Sequence, residues 1–401
     1  MILRPLSIFF ILLCFASQSL LAQDSTATLQ LLFIGDVMGH GPQVQSAQVV
    51  KNERYDYEPC FEYVKPIIES ADLAIGNLEV TLPGKPPYRG YPQFRSPDDL
   101  AKALRLAGFD MMVTSNNHSN DAGKSGVIKT IETLKNYGFY QTGTFRNPEE
   151  REWFYPLVVY KNGFKLAFLN YTYDTNGIPT RSPTVVNLID TTQMKTDMEL
   201  ARNLQPDAII VLMHWGLEYQ LKESKEQRRI AQQLFEWGAD YVIGSHPHVI
   251  QPIKDHSLME GDSLIDHRLC VYSLGNFISN QTKPNTDGGL MFEMTMFKNL
   301  STGQITHGPH HYIPVWRYIE KDKRGKSTYR VLPISAFETE NVLAMPTNKW
   351  KAMRNFARKM RKHLEQYDSF ERRITLEDLQ IHHLRNTETE PPLTPVKQTA
   401  Q

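Results

Sequence analysis

Six short apolar runs, each closing on a loop rich in Gly, Asn, Asp or His, set the tightest limit on what this chain can fold into. Leu31-Leu32-Phe33-Ile34 runs into Gly35-Asp36, residues 71–75 into Gly76-Asn77-Leu78-Glu79, and residues 109–114 into Ser115-Asn116-Asn117-His118. Residues 207–213 lead to His214-Trp215-Gly216, residues 241–243 to Gly244-Ser245-His246-Pro247-His248, and residues 269–272 to Ser273-Leu274-Gly275-Asn276-Phe277. Runs this short and uniformly apolar suit strands buried on both faces. Helical stretches alternate with them, at 59–70, 124–137 and 223–237. A fourth helix is opened by Ser96 as cap, with Pro97, Asp98 and Asp99 behind it, and stops at Gly108. Asn162-Gly163 between two apolar runs predicts a hairpin, so part of the sheet is antiparallel. The expected fold is layered α/β, with helices on both sides.

In such sheets, ligands bind outside the carboxyl ends of the strands. The loops should therefore converge on one surface, and what they carry is chemistry for a divalent cation. Carboxylate, imidazole and carbonyl oxygen are the donors that hard and borderline cations take. Asp36 and Glu79 supply carboxylates, Asn117 an amide oxygen, and His118, His214, His246 and His248 imidazoles. His246 and His248 stand one residue apart. In an extended segment side chains two apart share a face, so both rings would reach the same ion. A core histidine or a turn asparagine explains any one of these residues alone. Five loops each delivering a metal-competent group are harder to explain structurally. The pairs His310-His311 and His382-His383 lie away from strand ends and read as surface or packing residues.

The chain ends differ in texture. Arg4, the apolar run 6–15 and the small residues Ala16, Ser17, Ser19 and Ala22 read as a signal peptide over 1–22. The run is shorter than the ~20 residues a spanning helix needs. Export to the periplasm or cell envelope is expected, with membrane association only through an uncleaved N-terminus. Cys60 and Cys270 then remain, and read as separate buried small hydrophobes. Lys plus Arg and Asp plus Glu both total 44, so no overall field recruits nucleic acid. The main domain is expected over 30–335. A basic helical extension follows over 345–385, with Trp350, Met353, Phe356, Met360, Leu364 and Tyr367 on one face. Its basic residues are Lys349, Lys351, Arg354, Arg358, Lys359, Arg361 and Lys362. Residues 386–401 are polar and expected to be disordered.

Taken in order, Gly-Asp-Val-Met, Gly-Asn-Leu-Glu, Asn-Asn-His with Asp121 close behind, His-Trp-Gly-Leu-Glu-Tyr, Gly-Ser-His-Pro-His-Val-Ile-Gln-Pro and Ser-Leu-Gly-Asn-Phe resemble the CapA family of poly-γ-glutamate capsule proteins. That family in turn resembles calcineurin-like metallophosphoesterases. The resemblance implies a layered sandwich of two mixed sheets flanked by helices. It also implies one or two divalent ions held by Asp36, Glu79, Asn117, His214, His246 and His248, with Glu79 as bridge and His118 as general acid. Mn, Zn, Fe and Mg are not distinguished. Such phosphoesterases carry Asp-x-His on the first strand, and Met38 stands where that His would be. One ion position is then a ligand short unless His40 or water completes it. Arg89, Arg95 and Arg181 lie in loops and are candidates to grip an anionic polymer or phosphoryl substrate. Three functions stay open: a metal-dependent hydrolase of the envelope, a non-enzymatic polymer-binding subunit of capsule synthesis machinery, and a secreted phosphoesterase.

Overall fold

The computed structural model describes residues 26–51, 53–260, 263–367 and 370–380. The expected signal segment, the tail over 386–401 and the end of the basic extension lie outside the described residues. In chain order, β1 (Thr26–Val37), β2 (Leu73–Leu78), β3 (Met111–Val113) and β4 (Tyr140–Thr142) pair in sequence, all parallel. The chain then builds a second sheet from β5 (Leu157–Lys161), β6 (Phe164–Thr172), β7 (Ala208–His214), β8 (Tyr241–Ser245), β9 (Ile253–Asp255) and β10 (Leu269–Val271). Its order is β9-β10-β8-β7-β6-β5, parallel in the centre and antiparallel at both edges. Returning to the first sheet, β11 (Asn276–Ile278) pairs with the end of β1, and β12 (Gly288–Asn299) runs antiparallel along it. β13 (Ile305–Lys321) and β14 (Ser327–Pro333) extend that sheet, and the short strand Phe370–Glu371 pairs in parallel with β13.

The two sheets pack face to face, and the alternation along β7 shows how. Ala208, Ile210 and Leu212 enter the core shared with β1, β2 and β12. Ile209, Val211 and Met213 enter a second core beneath helices α3 (Thr191–Asn203) and α4 (Lys225–Glu236). A strand buried on both faces must be apolar throughout, which is why these runs are legible in sequence. On the first sheet's side lie α1 (Asp99–Leu106) and α2 (Gly123–Asn136). Helix α5 (Thr347–Leu364) lays Met353, Phe356, Met360 and Leu364 into the same core as β12 and β13. The fold is thus the two-sheet α/β sandwich the resemblance implied.

Asn162 and Gly163 sit at φ 48° and 80°, the left-handed pair a two-residue hairpin turn demands. Helix α4 begins on a capping box in which Ser224 accepts from the Gln227 N–H and the Gln227 side chain answers the Ser224 N–H. Ser96, by contrast, caps nothing. Its N–H donates to the Thr81 carbonyl at 2.9 Å, which holds it in an extended segment, and α1 begins after Asp98. The helix expected over 59–70 is two short ones, Glu58–Phe61 and Lys65–Glu69, because Pro66 has no N–H to continue the ladder. Cys60 and Cys270 are buried free thiols. Among the described residues no helix is long and apolar enough to cross a membrane.

Candidate metal centre

All seven expected site residues meet at the carboxyl ends of the strands, between the two sheets. Asp36 stands at the end of β1 and Glu79 one residue past β2, while Asn117 and His118 follow β3. His214 ends β7, and His246 and His248 follow β8. Bringing these loops together requires backbones to approach closely. A Cβ on Gly35 would lie 1.9 Å from the Gly275 carbonyl oxygen, and one on Gly244 would lie 2.0 Å from that of Tyr272. Glycine at both positions lets the β1 and β8 ends reach the β10–β11 turn.

Glu79 sits at the centre. It is fully buried, and neither carboxylate oxygen has a hydrogen-bond partner. Its Oε1 lies 3.6 Å from His214 Nε2, 3.8 Å from His248 Nε2 and 3.9 Å from His118 Nε2. Two sets of potential ligand atoms gather within 4.8 Å of one another: Glu79, His246 and His248, and Asp36, Glu79 and His214. Glu79 belongs to both.

The remaining polar atoms fix the orientation of these groups. Asp36 accepts from Asn77 Nδ2 at 2.7 Å and from the His246 backbone N–H at 3.3 Å. His248 Nδ1 lies 3.1 Å from both Asp36 Oδ2 and Asn276 Oδ1, two acceptors, so it carries the proton and leaves Nε2 facing Glu79. Asn117 Oδ1 and His214 Nε2 converge to 2.8 Å, while Asn77 Nδ2 approaches His214 Nδ1 at 3.1 Å. His246 Nδ1 is buried without a partner, its ring 4.4 Å from that of Tyr173. Asp121 holds His118 through Nδ1 at 2.7 Å and also accepts from the Phe94 N–H.

The electrostatics call for a cation. Asp36 and Glu79 are buried, and no Lys or Arg among the described residues pairs with either. Burial, with Asp36 next, pushes the Glu79 carboxyl well above the usual range. Burial, reinforced by neighbouring histidines, drives His214 and His246 well below theirs, which favours the neutral rings that can act as metal ligands. Buried carboxylate oxygens without partners cost free energy unless something positive meets them. A divalent ion does so with the donor types present here.

Three expectations need correction or restriction. His246 and His248 do not reach the site by strand alternation: their φ angles are 97° and 58°, so the loop turns through the left-handed region twice. Non-glycine residues adopt that region at a cost, and such strain gathers at functional sites. His40 does not replace the histidine absent at Met38. It accepts from the Asn280 N–H at 3.2 Å and packs on Phe94 at 4.9 Å, and it is in neither ligand set. Arg89, Arg95 and Arg181 form no ion pair in the cluster among the described residues. Arg89 and Arg95 pair backbones at 2.9 and 3.0 Å beside Phe94, which packs on His118 at 4.5 Å. Arg181 is exposed on a loop whose Asn176 meets Asn117 and whose Ile178 meets Asn120. All three sit on segments that touch His118, Asn117 or Asn120.

The residues that reading by motif left out are the orienting ones. Asn77 and Asn276 both stood inside quoted strand-end motifs, and a buried amide at a strand end was the available signal. Tyr173, which packs on the His246 ring, lies outside every one of those motifs.

The family model for bacterial capsule synthesis protein PGA_cap matches residues 30–281. A capsule biosynthesis protein CapA of Bacillus anthracis is 28% identical over 268 residues, 63% of this chain and 60% of that protein. A PGA biosynthesis protein CapA of Bacillus subtilis (strain 168) is 26% identical over 291 residues, 71% of this chain and 72% of that protein. The chain therefore spans less than two thirds of the first relative's length. Among solved structures, the calcineurin-like phosphoesterase YfkN of Bacillus subtilis superposes with a TM-score of 0.44 at 10% identity, covering 85% of this chain and 100% of that one. A likeness of that size assigns neither fold nor activity.

Proposed function

The chain belongs to the bacterial capsule synthesis protein family PGA_cap, and on that premise we propose an exported, metal-dependent hydrolase-like protein. Its substrate class is an anionic envelope polymer such as poly-γ-glutamate, which it acts on during synthesis, anchoring or release. The observation that carries the proposal is Glu79, fully buried with both oxygens unpartnered inside a ring of histidines.

Asp36, Glu79 and His214, with Asn117 alongside, would hold one ion, and Glu79, His246 and His248 a second. When bound, divalent ions supply Lewis acidity and lower the pKa of water. The chain's own residues do the rest. Asp36 and Asn276 fix the His248 ring, and Asn77 fixes Asp36 and His214. Asp121 anchors His118 through Nδ1, so Nε2 faces the centre without a hydrogen bond to Glu79. Held in this orientation, His118 Nε2 is placed to serve a leaving group as general acid. Arg95, half-buried with its Nε unpartnered, and the exposed Arg89 and Arg181 are candidates to hold substrate anions at the rim.

Met38 favours a second reading, a polymer-binding subunit of capsule machinery without turnover. It is buried at the end of β1, and a thioether is a poor donor for hard cations. Metal content of the purified protein, with turnover of an aryl phosphate and of γ-glutamyl polymer, separates the two. Metal with turnover supports the hydrolase, and metal without turnover supports the subunit. If His248→Ala changes neither metal content nor any activity, the metal reading fails.

A further inference from the structure

The basic residues of α5 do not form one solvated face. Arg361 is consumed in ion pairs with Glu338 and Glu371, at 2.7 and 2.6 Å. Arg354 covers the Trp350 ring at 4.7 Å. Lys349 and Lys359 instead line a cavity of about 350 Å³ between α5 and the 281–287 loop. A second cavity of about 480 Å³ adjoins it, sharing Asn285, Phe356 and Lys359, and adds Lys362. Two cations enter this groove from elsewhere in the chain, Lys283 from the loop and Arg317 from β13. Among the described residues the only lining carboxylate is Asp287, which already accepts from the Trp316 indole N–H at 2.8 Å.

Arg317 separates this groove from an ordinary charged surface. The residue is 9% exposed; one terminal nitrogen donates to the Gln281 carbonyl at 2.9 Å, its Nε has no partner, and it forms no ion pair among the described residues. A buried guanidinium without an anion is costly, and a carboxylate meets it in a planar two-point contact. The floor is apolar, with Phe356, Met360, Leu221 and Ile250, which suits the methylene part of a chain whose charges recur at intervals. The groove also leads to the ion site. Ile250 stands two residues past His248, and Lys283 lies 4.2 Å over the ring of Tyr219, itself 6.1 Å from the His248 ring.

We propose that the groove between α5 and the 281–287 loop is a binding track for an extended polycarboxylate, holding a polymer whose end or cleavage point sits at the metal centre. The choice of polymer rests on the function proposed above, but the groove is tested without it. Poly-γ-glutamate of defined length is titrated against the full chain by fluorescence anisotropy, with metal content and aryl phosphate turnover measured on the same samples. Lys349→Glu/Lys359→Glu weakens polymer binding by about ten-fold or more and leaves metal content unchanged. Lys351→Glu/Arg358→Glu, an equal charge change on helix residues outside the groove, has less than about a third of that effect on affinity. All four positions are exposed, so folding is preserved. Equal loss in both variants, or loss in neither, overturns the track. Binding of poly(glycerol phosphate) in preference to polyglutamate overturns the polycarboxylate as its occupant. A protein that holds no metal but still shows the difference between the two variants keeps the track and discards the hydrolase.

Discussion

Histidines gather at both ends of β8. At its carboxyl end His246 and His248 join His214 and His118 around Glu79. At its start the Tyr241 hydroxyl lies 2.5 Å from His307 Nδ1, and the His307 and His267 rings stack at 3.9 Å. Burial depresses His307 to about 4, with His267 adding to it, just as burial depresses His214 and His246. Yet neither His307 nor His267 belongs to a three-donor set among the described residues. Imidazole density and lowered basicity are therefore shared by both ends. What differs is the buried carboxylate: Glu79 keeps two unpartnered oxygens among the rings at one end, while a phenol engages the ring at the other. A neutral histidine satisfied by a hydroxyl is a packing residue, whereas one facing an unpartnered buried carboxylate has the makings of a cation site.

That contrast can be broken in several ways. The largest effect is expected from chelation, which should lower unfolding stability by about 4 kcal/mol where free ion had stood near 1,000 times its dissociation constant. His307→Phe protein should lose as much, and thermal melts with and without chelator show whether it does. Glu79→Gln should cut metal affinity about 100-fold, the upper range for loss of a supporting group and a floor for a shared ligand. His307→Phe should leave metal content by elemental analysis untouched. If the two variants retain metal equally, the carboxylate is not what separates the two ends. Asp121→Asn should retain metal but lower aryl phosphate turnover roughly ten-fold or more, since it removes the anchor of His118 and not a ligand.

The smallest effect belongs to the outer cluster and to pH. His307 has a folded pKa near 4, against 6.5 for an unperturbed ring. Between those values the unfolded chain binds more protons, so stability from this group is complete above 6.5 and is lost as pH falls towards 4. His307→Phe should flatten the pH dependence of denaturant midpoints in that window, with little change above it.

Much of this architecture was legible because doubly buried strands cannot hide. Residues 207–213 have to be apolar on both faces, and Ile209 and Ile210 duly enter different cores. The placement of the seven site residues at strand ends followed from that. The route by which His246 and His248 arrive did not, because nothing in Ser-His-Pro-His states the sign of φ, and the left-handed turns are imposed by tertiary packing. Ser96 misled for a related reason: Ser-Pro-Asp-Asp has good cap chemistry, but pairing with Thr81 overrode it. Nor could the sorting of the α5 charges be read locally, since the partners of Arg361 lie at Glu338 and Glu371.

Glu79, His214 and Asn276 reach the centre from different sheets and distant stretches of the chain. No contiguous fragment holds a working subset, and neither sheet alone presents a complete ligand group. An ion held by either ligand set would therefore bind tightly only after the two sheets have docked in register, and its retention would report on correct assembly.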